Sequence, residues 1–184
     1  MAVSPDVTNL IHLFNRCFKQ TENTVLVKGG DEPIYLPANN KQIHNHIVFA
    51  HGYFSSALHE ISHWCIAGKE RRKIVDFGYW YEPDGRSVKQ QQAFEIVEIK
   101  PQALEWIFSV AAGIKFNISA DNLGGSVSPT AYLFEQNVRD QALEYIEKGL
   151  PENGRQFTNA LMEYYGTNSQ LNANAFQLKE NLAS

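Results

Sequence analysis

His59-Glu60-Ile61-Ser62-His63 sets two imidazoles four residues apart with a glutamate between them. On a helix, positions i and i+4 lie on one face, roughly 5–6 Å apart at Cβ. Two imidazoles so placed can close on one metal ion from a rigid backbone, with bonds of about 2.0–2.1 Å if the ion is zinc. Glu60 then stands beside whatever fills the open coordination position, as a general base or proton carrier. The pattern fixes only three residues, and a helix whose histidines hydrogen-bond at the edge of a core would satisfy it too. Context favours the metal. The apolar run Ile47-Val48-Phe49-Ala50 precedes the motif as a strand, and Ser55 or Ser56 supplies a helix cap. Gly68 ends the helix.

A third ligand must come from another element. Gln92 to Pro101 carries Glu95 and Glu98, three positions apart within an apolar segment. Glu98 is favoured, because Phe94, Val97 and Pro101 put its neighbourhood on the core side; Glu95 is the alternative. Gln102, four residues beyond Glu98, is spaced to hold the ligand carboxylate by a hydrogen bond. His44, His46, His51 and His12 read as solvated or core histidines rather than ligands. Two histidines and one carboxylate support two chemistries. With zinc, the bound water acidifies toward about pH 7 and Glu60 serves amide hydrolysis. With iron(II), the open positions take dioxygen and substrate, as in non-haem oxygenases. The helix-borne motif alone favours a zinc metallopeptidase.

The motif helix has a clear register: Leu58, Ile61 and Cys65 form an apolar face, and His59, His63 and Ile66 border it. A first helix is expected from about Pro5 to Phe18, with Ser4-Pro5 at its start. Val25-Leu26-Val27 and Ile34-Tyr35-Leu36 flank the turn formers Gly29 to Pro33 as a small β unit. Ile74 to Tyr81 reads as a further strand, including the aromatic run Tyr79-Trp80-Tyr81, part of which could line a groove. A long helical pattern covers about Gln90 to Ala112, with Pro101 expected to break or kink it. Ser128-Pro129 caps another helix ending at Gly149, and a last one covers about Arg155 to Tyr165. The basic turn Lys69 to Lys73 follows the motif helix and would lie near the rim of a site, suited to steering an acidic protein or peptide.

The whole is expected to be one α+β domain over residues 1–184: helix-rich, with a small β-sheet packed on the motif helix, and a loosely ordered tail over about 167–184. A net charge of −4 lacks the lysine and arginine excess of a nucleic-acid binder. No apolar run approaches the roughly 18 residues that a bilayer crossing needs, so no membrane role is expected. Met1 to Asp6 carries no basic-then-apolar leader, and Cys17 and Cys65 are separated thiols suited to a reducing cytoplasm.

Longer blocks change the order of the two chemistries. Ile47 to Gly52, Ala57 to Gly68 (ALHEISHWCIAG), Asp76 to Arg86 (DFGYWYEPDGR), Phe94 to Trp106 and Asp31 to Pro37 resemble the bacterial elongation factor P hydroxylase family. The resemblance spans most of the chain and is looser in the final third. It implies a monooxygenase that uses dioxygen to hydroxylate the modified lysine of elongation factor P, a protein partner. It further implies an iron ion, with zinc as an alternative occupant, held by His59, His63 and Glu98 on a zincin-like frame. In that setting Glu60 is a base or proton donor beside the metal rather than a peptidase base.

Overall fold

The computed structural model describes residues 4–77, 86–119, 131–168 and 170–178. In chain order the elements are α1 (Val7–Phe18), β1 (Thr24–Lys28), β2 (Ile34–Leu36), β3 (Asn45–Phe49), α2 (Phe54–Ile66), α3 (Val88–Ala111), α4 (Ala131–Lys148) and α5 (Glu152–Tyr165). Short 3-10 turns cover Arg71–Lys73 and Ala173–Ala175. Among the described residues helices dominate and one small sheet accompanies them, as the α+β expectation has it. No helix among the described residues is long and apolar enough to cross a membrane.

The start of α1 differs from expectation: Asp6, not Ser4, is the cap, its carboxylate accepting from the Asn9 N–H at 3.0 Å. The buried stripe of α1, Leu10, Leu13, Phe14 and Phe18, packs into the main core. Asn15 reaches from α1 to β1, accepting the Leu26 N–H at 2.9 Å.

Glycines 29 and 30 do not close a hairpin between β1 and β2. The sheet order is β1-β3-β2, with β3 parallel to β1 and antiparallel to β2. The buried apolar strand side chains, Leu26 on β1 and Ile47 and Phe49 on β3, give the sheet its core face. From β3 the chain turns sharply into α2 through two left-handed residues, His51 at φ 56° and Gly52 at φ 69°. Glycine accepts that conformation freely. His51 is held in it with its N–H bonded to the Gly30 carbonyl at 2.8 Å.

Tyr53 is the N-cap of α2 and makes no side-chain cap bond; Ser55 and Ser56 lie inside the first turn and cap nothing. The other end is better finished. Arg72 donates two hydrogen bonds to the Trp64 carbonyl, at 3.1 and 2.7 Å, and its guanidinium lies 4.3 Å from the Trp64 ring centre. A cation at a helix C-terminus satisfies terminal carbonyls and complements the helix dipole.

The strand expected over Ile74 to Tyr81 does not form within the described residues. Asp76 alone pairs with Tyr35, as an isolated bridge with backbone bonds of 2.8 and 3.1 Å. Side chains pin this segment instead: Arg71 forks onto the Asp76 carboxylate, while Ile74, Val75 and Phe77 stay exposed. Tyr79, Trp80 and Tyr81 lie outside the described residues, as does the expected cap at Ser128-Pro129.

Pro101 does not end α3, which continues to Ala111 as one helix. Its missing N–H forfeits one bond to the Val97 carbonyl. Packing against α2, α4 and α5 holds the helix on through that loss. From Pro101 to Ser109 every residue of α3 is buried, so this half is the central rod of the molecule. One side of the rod meets the aromatic core of Phe14, Phe18, Trp64, Phe108 and Phe157; the other meets Phe134, Val138 and Ala142 of α4. Gly154 lets α5 approach closely, since a Cβ there would sit 3.3 Å from the Leu104 side chain. Among the described residues after α5, Phe176 is fully buried against Trp106, and Arg139 bonds its carbonyl at 2.9 Å.

Candidate metal centre

α2 packs along α3, and the polar edges of the two helices meet inside the protein. Leu58, Ile61 and Cys65 go to the core, which leaves His59, Glu60 and His63 half-buried on the flank that faces α3. Across from them α3 presents Gln91, Glu95, Glu98, Gln102 and Glu105, all buried and spaced three or four residues apart. Burying so many polar groups is costly unless each is paired.

Glu98 faces both imidazoles. Its Oε1 lies 3.3 Å from His63 Nε2 and its Oε2 lies 3.6 Å from His59 Nε2. The two Nε2 atoms are 3.1 Å apart. Among the described residues, His59, His63 and Glu98 form the group whose donor atoms converge, all within 4.8 Å of one another. A shared ion fits this set. Two nitrogens at bonds of about 2.0–2.1 Å stand roughly 2.9 Å apart at a right angle and about 3.4 Å apart at the tetrahedral angle. The observed separation falls between those limits. Glu98 Oε2 is buried and accepts no hydrogen bond, an orphaned acceptor aimed at the same point.

The electrostatics of the protein groups alone are those of a charged cluster. Burial works against charge on Glu98, but the His63 hydrogen bond and the positive charge of both imidazoles outweigh it, holding the carboxyl down at about 2. Burial likewise opposes charge on His59; the Glu105 hydrogen bond and the charges of Glu98, Glu105 and Glu60 overcome it, raising His59 well above the ordinary histidine value. Glu60 is pushed up by burial, partly offset by His59 and His63.

Glu95 does not join the convergent group. It sits one turn before Glu98, accepting from Gln91 at 3.3 Å. Gln102 is buried beside Glu98, as expected, and its hydrogen bond helps to hold the Glu98 carboxyl down; both ends of its amide also bond the backbone of Ser119, at 2.6 and 3.1 Å, which anchors the segment after α3. The remaining histidines lie elsewhere: His44 bonds Asn23 at 2.6 Å, His46 is on β3, His51 stands near exposed Asp31 and His12 is exposed on α1.

Glu105 is the residue the sequence reading passed over. Its Oε2 lies 2.9 Å from His59 Nδ1. The signal was present as spacing, since Glu105 stands seven residues, two helical turns, after Glu98 and therefore on the same face.

A cavity of about 470 Å³ adjoins the cluster, with Glu60 and His63 in its wall. That volume is within the roughly 300–1,000 Å³ range of ligand pockets. Its lining is mostly apolar, including Ile34, Ile47, Ile66, Val97 and Pro101. Arg71, Arg72, Asp76 and Lys100 bring charge to it. The basic turn thus does reach the rim, but much of its charge is compensated internally. Arg71 pairs with Asp76, Arg72 with Glu22 at 3.4 Å, and Lys73 with Glu70 at 2.6 Å.

Set beside known proteins, residues 13–176 match the family described as elongation factor P hydroxylase. The chain is also 55% identical over 170 residues to a Haemophilus influenzae protein named elongation factor P lysine hydroxylase, a match covering 92% of this chain and 95% of the other.

Proposed function

Since the chain belongs to the elongation factor P hydroxylase family, we propose that it is a metal-dependent hydroxylase acting on the modified lysine of elongation factor P. The observation that carries the site assignment is the convergence of His59, His63 and Glu98 beside a cavity of side-chain size. Family membership sets aside the peptidase reading of the same motif.

In this reading His59, His63 and Glu98 would hold an iron ion, a set of two histidines and one acid that would leave positions open. Such an ion would supply the activation of dioxygen, one oxygen atom entering a carbon–hydrogen bond of the substrate and the other leaving as water with two electrons and two protons from an external reductant. Zinc is the alternative occupant of the same donors. The protein's own groups do the rest. The apolar walls at Ile47, Ile66, Val97 and Pro101 take the aliphatic part of the modified lysine and exclude water from its path. Glu60, in the cavity wall and raised by burial, accepts or returns a proton at its carboxylate beside the open positions. The frame is zincin-like: a helix carrying both histidines, backed by a small sheet. We assign the activity to one catalytic domain spanning residues 1–184, working in the cytoplasm without membrane or direct nucleic-acid contact.

The test is intact-mass analysis of lysylated elongation factor P after incubation with the iron-loaded protein, dioxygen and a reductant. The expected outcome is a gain of one oxygen atom, lost in His59→Ala, His63→Ala and Glu98→Ala. Persistence of the gain in those variants sinks the site assignment; cleavage products in place of the gain revive the hydrolase.

A further inference from the structure

We infer that Glu105 is a positioning residue for the metal centre, fixing which nitrogen of His59 is offered to the ion and strengthening that nitrogen as a donor. The inference rests on the assignment of His59 as a ligand. Its independent support is the geometry of Glu105 itself.

The Glu105 side chain is nearly buried, and its Oε2 lies 2.9 Å from His59 Nδ1. A carboxylate oxygen at this distance from a ring nitrogen is an acceptor, so the contact favours the tautomer of His59 whose hydrogen sits on Nδ1. The proton cannot then occupy Nε2 of a neutral ring, and the Nε2 lone pair is left pointing at His63 and Glu98. Without Glu105 both tautomers are open to His59, and one of them blocks the metal position with a hydrogen. The same contact fixes the ring plane. A carboxylate on the far side of a ligand imidazole also raises the electron density at the coordinating nitrogen.

The arrangement is economical in backbone. α3 supplies both Glu98, for the ion itself, and Glu105, two turns on, for the ring behind the ion. α2 supplies the two histidines. One helix pair therefore sets four groups, and the buried half of α3, from Pro101 to Ser109, is the rigid part that holds Glu105. A carboxylate in this place would be an expensive structural filler, because an unpaired buried charge is strongly disfavoured. His59 Nδ1 is its partner.

The experiment measures zinc affinity by chelator competition in the wild type, His59→Ala, Glu105→Gln and Glu105→Ala, with nitrogen NMR of His59 in the zinc-loaded proteins. Zinc serves as a redox-silent probe, so the readout does not depend on catalysis. Glu105→Gln keeps the shape and an acceptor oxygen but removes the charge. It is expected to weaken zinc binding roughly 10–100-fold, the range for groups that support a ligand from behind. Glu105→Ala is expected to weaken it at least as much and to erase the NMR signature of a hydrogen-bonded Nδ1–H. Glu105→Gln alone decides the matter if the alanine variant does not fold. A purely structural role predicts lower melting temperatures with zinc affinity unchanged in the folded protein. Affinity within twofold of the wild type in Glu105→Gln overturns the inference. If the wild type binds zinc no better than His59→Ala, the ligand assignment fails and the inference falls with it.

Discussion

Metal-free protein should gain stability from the Glu98–histidine cluster, and that gain should depend on pH in both directions. Glu98 titrates at about 2 in the fold against an ordinary 4.5, a difference equivalent to about 3 kcal/mol at roughly 1.4 kcal/mol per unit. The shift is downward, so the stabilisation is present above the unfolded value and is lost as pH falls through the folded one. His59 is shifted upward by the same cluster, so its share is complete below about 6.5 and fades as pH rises through its raised value. These are two views of one set of contacts and are not added together. The perturbation is Glu98→Gln, nearly isosteric, compared with the wild type after chelator treatment. At pH 5.5 the wild type should be more stable by about 3 kcal/mol, a shift of roughly 1–2 M in urea midpoint for a slope near 2 kcal/mol/M. The gap should shrink by more than half at pH 2.5 and should also narrow on the alkaline side. Metal loading should abolish the alkaline narrowing, because a bound ion takes the place of the imidazole proton. A gap between wild type and Glu98→Gln that is constant from pH 2.5 to pH 8 would refute the reasoning.

Two further outcomes follow from the same packing. Metal content after reconstitution should drop to background in Glu98→Gln and stay near stoichiometric in Glu95→Gln; the reverse pattern would move the third ligand one turn back. Phe176→Ala should cost about 3–5 kcal/mol, the usual range for emptying a buried aromatic site, measured by denaturant unfolding. A loss below about 1 kcal/mol would mean that the tail does not dock as described.

What could be read from the sequence and what could not divides along one physical line. The register of α2 was legible because Leu58, Ile61 and Cys65 mark the core side of a helix by ordinary periodicity, and the strand before it announced itself in Ile47 to Phe49. Glu98 was reachable by the same logic, through its apolar neighbours. The strand forecast for Ile74 to Tyr81 rested on propensity, and propensity yields where the neighbouring chain offers a single bridge at Asp76 and an arginine fork in place of a ladder. Pro101 misled because a lost hydrogen bond is a local cost, whereas the helix from Pro101 to Ser109 is buried on every side.

Glu105 was missed for a deeper reason. Gln91, Glu95, Glu98, Gln102 and Glu105 recur with helical period, and a polar stripe of that kind ordinarily faces water. On α3 the relation is inverted: Val88 and Ile96 are exposed, and the polar stripe is buried. The inversion makes sense only once the partner is known, since α2 turns His59 and His63 toward Glu98 and Glu105 of that stripe. A helix read alone cannot reveal such a pairing, because the hydrophobic signal that locates a core is absent from both sides of it. The motif on α2 could be recognised by its spelling; its counterpart on α3 has only a period. That period, matched against the flank of a histidine-bearing helix rather than against solvent, is the signal by which a carboxylate such as Glu105 can be found.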